Sequence, residues 1–198
     1  MHSSLSTRDL ALAALFAALV SVGALVSIPV FGPVPLTLQV LFVLLAGLVL
    51  GARLGALSVV AYIVVGFAAP VYAQGASGPG ALVGPAGGYL VGFVAAAYIV
   101  GSLAQRSKAQ TLWPLLGIAL VGLVPIYAIG ASWLAWQLHT TGFETVVWGG
   151  IVQFVPGDVA KAVAAALTAR ALSSLPLGLP ALSRPRCGRP RPRRGDGD

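Results

Sequence analysis

The amino-acid sequence predicts an all-α membrane protein with six transmembrane helices and with both termini in the cytoplasm. Of its 198 residues, 58% are hydrophobic and only 9% are charged, whereas a soluble domain has about 25% charged residues. The 12 basic and 5 acidic side chains cannot give a soluble globule of this size a polar surface. The high apolar content also excludes disorder over most of the chain. The composition therefore excludes a soluble enzyme and a freely soluble nucleic-acid-binding protein.

Apolar runs of membrane length define the six helices, since a transmembrane helix needs about 20 mostly apolar residues. The long run 36–69 is divided because Arg53 lies near its middle, and an arginine at the bilayer centre is costly. A kink is expected at Pro125. The last run is interrupted at Pro156, so residues 146–154 are interpreted as a short approach segment, with one unbroken kinked helix as the alternative. The predicted helices cover residues 10–28, 36–51, 54–69, 87–104, 112–138 and 156–172.

The basic residues give the orientation. With six helices, the N-terminus, the 2–3 turn, the 4–5 loop and the C-terminus share one side, and 11 of the 12 basic residues fall there. Loops rich in Lys and Arg stay in the cytoplasm, so this side is predicted to be cytoplasmic. The exception is Lys161. The cytoplasmic set is Arg8, Arg53, Arg106, Lys108, Arg170 and the six arginines of the tail.

The chain is predicted to consist of a membrane domain, residues 1–172, and a basic tail, residues 173–198. The tail is rich in Pro and Arg and is expected to be disordered and to lie on anionic lipid; we assign it no nucleic-acid binding. The single Cys187 excludes an intrachain disulfide. His2 and His139 are too far apart in sequence to form a metal motif, so no metal and no cofactor are predicted.

Asp158 and Lys161 are the strongest candidates for a ligand site. They lie three residues apart in the apolar run after Pro156, so they share one helix face, and ionisable residues inside a membrane indicate function. A purely structural ion pair at the helix start explains Asp158 through the helix dipole, but it places Lys161 where a cation is unfavourable. The pattern therefore favours a small-ligand site, with Lys161 as a carboxylate receptor and Asp158 as an acceptor of N–H donors.

Further polar residues fall on the same outer side. The Gly-rich loop 70–85 contains Gln74 and is either a flexible connector or a lid over a pocket. Tyr89 follows this loop. Thr37 and Gln39 open the second helix, where they either line the pocket or cap the helix.

The first helix carries small residues at helical spacing. Ala13 with Ala17, and Ala14 with Ala18, are pairs that let a second helix approach closely. Such pairs serve either packing within the chain or docking of a partner. The alanine-rich face favours a partner surface that includes all four residues.

Five short segments, taken together, resemble the biotin-specific substrate-binding subunit of energy-coupling-factor transporters, the BioY family. The resemblance covers about residues 10–172. The order of the five segments and the distances between them in the sequence are specific, although each segment alone is weak evidence for the family. The segments are the Ala-rich run 11–18, Gly32-Pro-Val-Pro-Leu-Thr-Leu-Gln39, Leu44-Leu-Ala-Gly47 with Gly51-Ala-Arg-Leu-Gly-Ala56, Gly84-Pro-Ala-Gly-Gly-Tyr-Leu-Val-Gly-Phe93, and Phe154-Val-Pro-Gly-Asp-Val-Ala-Lys161.

The resemblance implies six membrane helices, high-affinity biotin binding on the outer side, and uptake across the bacterial inner membrane without catalysis. It implies that helix one docks a transmembrane coupling subunit, and that two cytoplasmic ATPases supply the energy. This agrees with the absence of a G-x-x-x-x-G-K-[ST] motif from the sequence. Through the Pro-Gly-Asp-x-x-Lys motif, the resemblance implies that Asp158 and Lys161 contact the ligand. Through Gly-Gly-Tyr, it implies the same for Tyr89. Around Gln74 the chain has Ala-Gln-Gly-Ala-Ser where relatives are richer in Gly.

Two other functions stay open. A self-sufficient secondary transporter or channel for another small carboxylate needs a coupling-ion site, usually with several buried carboxylates, and the chain offers only Asp158 and, near a loop, Glu144. A scaffold subunit without a ligand does not need Lys161.

Overall fold

The computed structural model describes residues 5–30, 33–107, 111–139, 146–175 and 179–181. Most of these residues are helical, and a two-stranded hairpin and two short turns join the helices. Lys108, Glu144 and the arginines of the tail lie outside the described residues, so the predictions made for them stay predictions. The elements are α1 Thr7–Leu25, β1 Ser27–Ile28, β2 Leu36–Thr37, α2 Gln39–Leu50, α3 Ala52–Gly66, a 3₁₀ turn Ala73–Gly75, α4 Pro79–Val83, α5 Gly87–Ser107, α6 Leu112–Gln137, a π-helical turn Trp148–Val152 and α7 Val155–Ser173.

Helix α1 begins and ends three residues earlier than predicted. It begins early because Ser6 and Asp9 form a capping box: the Asp9 N–H donates to Ser6 Oγ at 3.2 Å, and the Ser6 N–H donates to Asp9 Oδ2 at 3.0 Å. It ends early because the chain turns into strand β1, which pairs antiparallel with β2 in the register Ser27–Thr37. The same hairpin delays the start of α2.

The predicted break between the second and third helices is confirmed at Gly51. This residue has a φ of +84°, in the left-handed region that favours glycine. A Cβ there would also lie 2.3 Å from Gln105 Nε2, a side chain of α5. Arg53 therefore stands in the first turn of α3, at the end of the bundle and not in the middle of an apolar helix.

Four helical segments are long and apolar enough to cross a membrane in the described part of the chain: α1, α5, α6 and the segment Trp148–Ser173. Helices α2 and α3 are apolar but have only 12 and 15 residues. At about 1.5 Å per residue they are about 18 and 22 Å long, shorter than a hydrocarbon core of about 30 Å. The chain is thus a mostly helical membrane protein with four candidate spans, and the count of six stays a prediction.

The two prolines behave differently. Pro125 lies inside α6, which continues through it over 26 residues. Pro156 lies in the first turn of α7, where its missing N–H costs no hydrogen bond. The π-helical turn before α7 matches the predicted approach segment.

Helix α2 occupies the centre of the bundle. Ten of its twelve residues are buried, and it packs against α1, α3, α5, α6 and α7. At Gly47 an added Cβ would lie 2.8 Å from the Ala97 carbonyl oxygen, which shows how closely α5 approaches.

The charged residues separate the two ends of the bundle. The described arginines occupy helix ends on one side, whereas Lys161 lies near the start of α7 on the other side. The candidate site is at the Lys161 end. The arginines are Arg8 and Arg53 in the first turns of α1 and α3, and Arg106 and Arg170 in the last turns of α5 and α7.

Candidate functional site

A cavity of about 260 Å³ opens at the end of the bundle opposite the arginines. Its volume is near the lower end, about 300 Å³, of the range for small-molecule pockets. Apolar side chains such as Leu36, Phe93 and Phe154 form much of its wall. All six predicted site residues line it, namely Thr37, Gln39, Gln74, Tyr89, Asp158 and Lys161.

The ion pair between Lys161 and Asp158 is the centre of the site. Lys161 Nζ lies 2.8 Å from Asp158 Oδ1, and the two residues are only 8% and 3% exposed. Burying two charges is costly unless further hydrogen bonds satisfy them. Because the two side chains touch, they meet a ligand at one place and cannot contact its two ends separately.

Tyr127 is the partner that the sequence analysis missed. Its hydroxyl donates to Asp158 Oδ2 at 2.7 Å, and the residue lines the cavity from α6. Both carboxylate oxygens of Asp158 are therefore engaged. Lys161 Nζ carries three N–H donors, and among the described residues only Asp158 accepts one of them.

Gln39 is held from two directions at the start of α2. Its Oε1 accepts a hydrogen bond from Thr37 Oγ1 at 2.9 Å, and its Nε2 donates to the Tyr62 hydroxyl at 2.7 Å. Thr37 Oγ1 also accepts from the Gln39 backbone N–H at 3.4 Å. Thr37 thus lines the cavity and contacts the first residue of α2, whereas the N-cap residue of this helix is Leu38, without a side-chain cap.

The Gly-rich loop is fixed to α3 beneath it. Tyr72 is 2% exposed, and its hydroxyl donates to the Ile63 carbonyl oxygen at 2.6 Å. Burial raises the pKa of the Tyr72 phenol, which keeps this donor protonated. A Cβ on Gly66 would lie 2.2 Å from the Tyr72 ring, and the Gly78 N–H donates to the Gly66 carbonyl at 2.8 Å. Between these anchors Gln74 is exposed, with a φ of +59°, at the edge of the cavity.

Tyr89 lines the cavity with its hydroxyl already bonded. The hydroxyl donates to the Gly150 carbonyl oxygen at 2.7 Å, in the π-helical turn. The Tyr89 ring packs against Phe154 with its centroid 6.2 Å away. A Cβ on Gly130 would lie 2.4 Å from the ring, so α6 and the ring fit only with glycine there. Tyr89 therefore presents an aromatic wall to the cavity.

Comparison with known proteins decides the family. The profile of the BioY family matches residues 1–176. The chain belongs to the BioY family. A probable biotin transporter BioY from Pyrococcus horikoshii is 42% identical over 169 residues, which cover 85% of this chain and 98% of the relative. The biotin transporter BioY of Thermotoga maritima is also 42% identical, with 85% and 97% covered.

A solved structure shares the fold of this BioY chain. The crystal structure of the S-component for biotin from an ECF-type ABC transporter superposes with a TM-score of 0.79 at 28% identity, covering 88% of this chain and 95% of that one. The likeness supports a mostly helical membrane protein, whereas the count of six membrane helices and the orientation of the termini stay predictions.

The small residues of α1 divide into two groups in this BioY chain. Ala13 and Ala17 are only 3% and 7% exposed because this face of α1 packs against α2 and α3. These two alanines thus pack within the chain, and their role in docking a partner stays a prediction. Ala14 and Ala18 are exposed on the opposite face, and their docking role stays a prediction.

The described residues of the BioY chain contain no group of three His, Cys, Asp or Glu side chains that could hold a metal ion. The cavity instead offers a donor at Lys161, an acceptor at Asp158 and aromatic walls. This arrangement suits a small organic ligand that has both hydrogen-bonding and apolar parts.

Proposed function

We propose that this chain binds biotin with high affinity in the cavity and acts as the substrate-binding subunit of an energy-coupling-factor transporter for biotin uptake. The observation that carries the proposal is the buried Asp158–Lys161 pair, which faces a cavity in an otherwise apolar bundle. The names of the two relatives and of the structural neighbour support biotin as the ligand.

The ureido group of biotin is the part that we assign to the ion pair. This group carries two N–H donors beside one carbonyl acceptor, so an N–H can donate to Asp158 while the carbonyl accepts from Lys161. The pair is neutral as a whole, and a neutral partner avoids burying a further charge. We therefore replace the prediction that Lys161 binds the carboxylate.

The rest of biotin fits the chemistry of the walls. The thioether ring and the four-carbon chain are apolar and are assigned to the rings of Tyr89, Phe93 and Phe154. The carboxylate is assigned to the open edge, where Gln74 is exposed and supplies a neutral N–H donor. Gln39, with its amide fixed by Thr37 and Tyr62, supplies one further N–H toward the ligand.

The orientation follows from the two ends of the bundle. We place the arginine end in the cytoplasm and the cavity outside, because basic residues stay on the cytoplasmic side. In the topology that we propose, the shorter apolar helices α2 and α3 join the four long segments to give six membrane helices. Residues 1–172 form this domain in a bacterial cytoplasmic membrane, and residues 173–198 form a cytoplasmic tail.

The proposed partners are a transmembrane coupling subunit and a pair of cytoplasmic ATPases. Ala14 and Ala18, exposed on α1, are the docking residues that we propose for the coupling subunit. The proposed role is transport, with no catalysis, no cofactor and no nucleic acid.

Uptake in cells tests this function. A biotin auxotroph without its own transporter is given the chain alone or with a coupling subunit and its ATPases, and accumulation of labelled biotin is measured. We expect rapid uptake from nanomolar concentrations only with the partners, and loss of uptake when the ATPases are inactivated. Equally rapid uptake by the chain alone would support the secondary transporter instead.

A further inference from the structure

A second cavity, of about 470 Å³, lies at the opposite end of the bundle from the candidate ligand site. It is an open depression bordered by the end of α2, the first turn of α3 and the last turns of α5. Arg53 and Arg106 both line it, together with Ser102 and Gln105. In the described part of the chain neither arginine forms a salt bridge with a carboxylate. Two guanidinium groups at one cavity, with no carboxylate partner in the described ranges, favour an anion there.

The start of α3 adds to the positive potential of this cavity. The Ala52 N–H, at the first position of the helix, donates to Gln105 Oε1 at 3.3 Å. The positive end of the α3 dipole thus points toward the same cavity as the two arginines. Leu50 and Leu54 line the cavity but are only 1% and 8% exposed, so its accessible apolar surface is the ring of Tyr98, which is 53% exposed, on the α5 side.

The chain returns to this cavity after α7. Leu179 is 8% exposed and belongs to the hydrophobic core, Pro180 lines the cavity, and the Ala181 N–H donates to the Val49 carbonyl oxygen at 3.2 Å. The sequence that follows, residues 182–198, contains six Arg and two Asp, a net charge of +4. The basic sequence therefore follows directly after residues at the edge of a cavity lined by two arginines that pair with no carboxylate among the described residues.

We propose that this second cavity binds the phosphate group of an anionic phospholipid. Arginine recognises phosphate through two parallel N–H bonds, and basic pockets between membrane helices on the cytoplasmic side bind lipid headgroups. The ring of Tyr98, which lines the cavity and is 53% exposed, contacts the acyl chain, and a free phosphate ion has no such chain. The orientation proposed above decides only in which leaflet of the membrane the bound phospholipid lies.

The test uses the full-length chain with its tail in neutral detergent and phosphatidylglycerol as the probe. The apparent affinity comes from the lipid-dependent rise in the melting temperature and from native mass spectrometry. The double variant R53Q/R106Q is compared with R8Q/R170Q, which removes the same charge from the same end outside the cavity. We expect wild-type affinity in R8Q/R170Q and at least tenfold weaker affinity in R53Q/R106Q, with unchanged biotin binding in both.

Three outcomes would overturn the proposal. Equal losses in both double variants would indicate diffuse attraction to surface charge. Wild-type affinity in R53Q/R106Q would show that the cavity is not the lipid site. Stabilisation by inorganic phosphate as strong as that by phosphatidylglycerol would indicate a soluble anion. If R53Q/R106Q does not fold, the single variants R53Q and R106Q replace it, each with an expected loss of at least threefold.

Discussion

Replacing Lys161 by alanine tests how the candidate site recognises its ligand. The change removes an N–H donor whose nitrogen lies 2.8 Å from Asp158 Oδ1 and leaves the 3% exposed carboxylate with Tyr127 as its remaining partner. A hydrogen bond to a charged group is worth about 1.5–3 kcal/mol. We therefore expect biotin binding to weaken by about 2 kcal/mol or more, roughly thirtyfold in affinity.

Biotin methyl ester shows which end of the ligand Lys161 contacts. Titration calorimetry measures the affinity of wild type and of Lys161→Ala for biotin and for the ester, which lacks the carboxylate charge. If Lys161 contacts the ureido group, the substitution weakens both ligands by the same factor. If the substitution weakens the affinity for biotin but not for the ester, the carboxylate of biotin lies at Lys161 and our assignment of the ureido group is refuted.

The free energy of unfolding provides the control for this experiment. Removing one partner of a buried ion pair costs about 3–5 kcal/mol, whereas removing both costs less. The double variant D158A/K161A should therefore be more stable than K161A without ligand, although both bind biotin poorly. Unchanged affinity in a folded K161A would show that the pair is structural and that the site is assigned wrongly.

The remaining predictions concern the second partner of Asp158, the docking face and the topology. Tyr127→Phe removes the 2.7 Å hydrogen bond to the carboxylate and should weaken biotin binding about tenfold; calorimetry showing no change would contradict this. Leucine at the exposed Ala14 and Ala18 should abolish uptake with the coupling partners and leave biotin binding by the isolated chain intact, whereas loss of both would mean that these alanines pack within the chain. A reporter inserted at Ser77 should be detected outside the cell, and a cytoplasmic signal there would contradict the orientation.

The sequence was informative about the site because polar side chains are rare in this chain. Asp158, Lys161 and Gln39 each lie among apolar residues in the sequence. Because burying a polar group is costly, such residues indicate a functional site. The helix break was also predictable, because an arginine in the middle of an apolar membrane helix is costly and Arg53 lies near the middle of the run 36–69. All six predicted site residues lie at one cavity.

Other features depend on which face of a helix points inward, and the sequence does not give this. Helix α1 is apolar on all sides, so no polar face distinguishes buried Ala13 from exposed Ala14. Tyr127 was missed for a related reason: a tyrosine in a membrane helix is equally typical of the lipid interface, and only the packing of α6 against α7 brings it to Asp158.

Equilibrium binding of labelled biotin to the purified chain, without any partner protein, is the decisive measurement for the proposed biotin site. We expect one tightly bound biotin per chain in wild type and at least thirtyfold weaker binding in Lys161→Ala and in Asp158→Asn, with Ala14→Leu as the control that retains wild-type affinity. No biotin binding by the folded wild-type chain, or wild-type affinity in both site variants, would contradict this expectation.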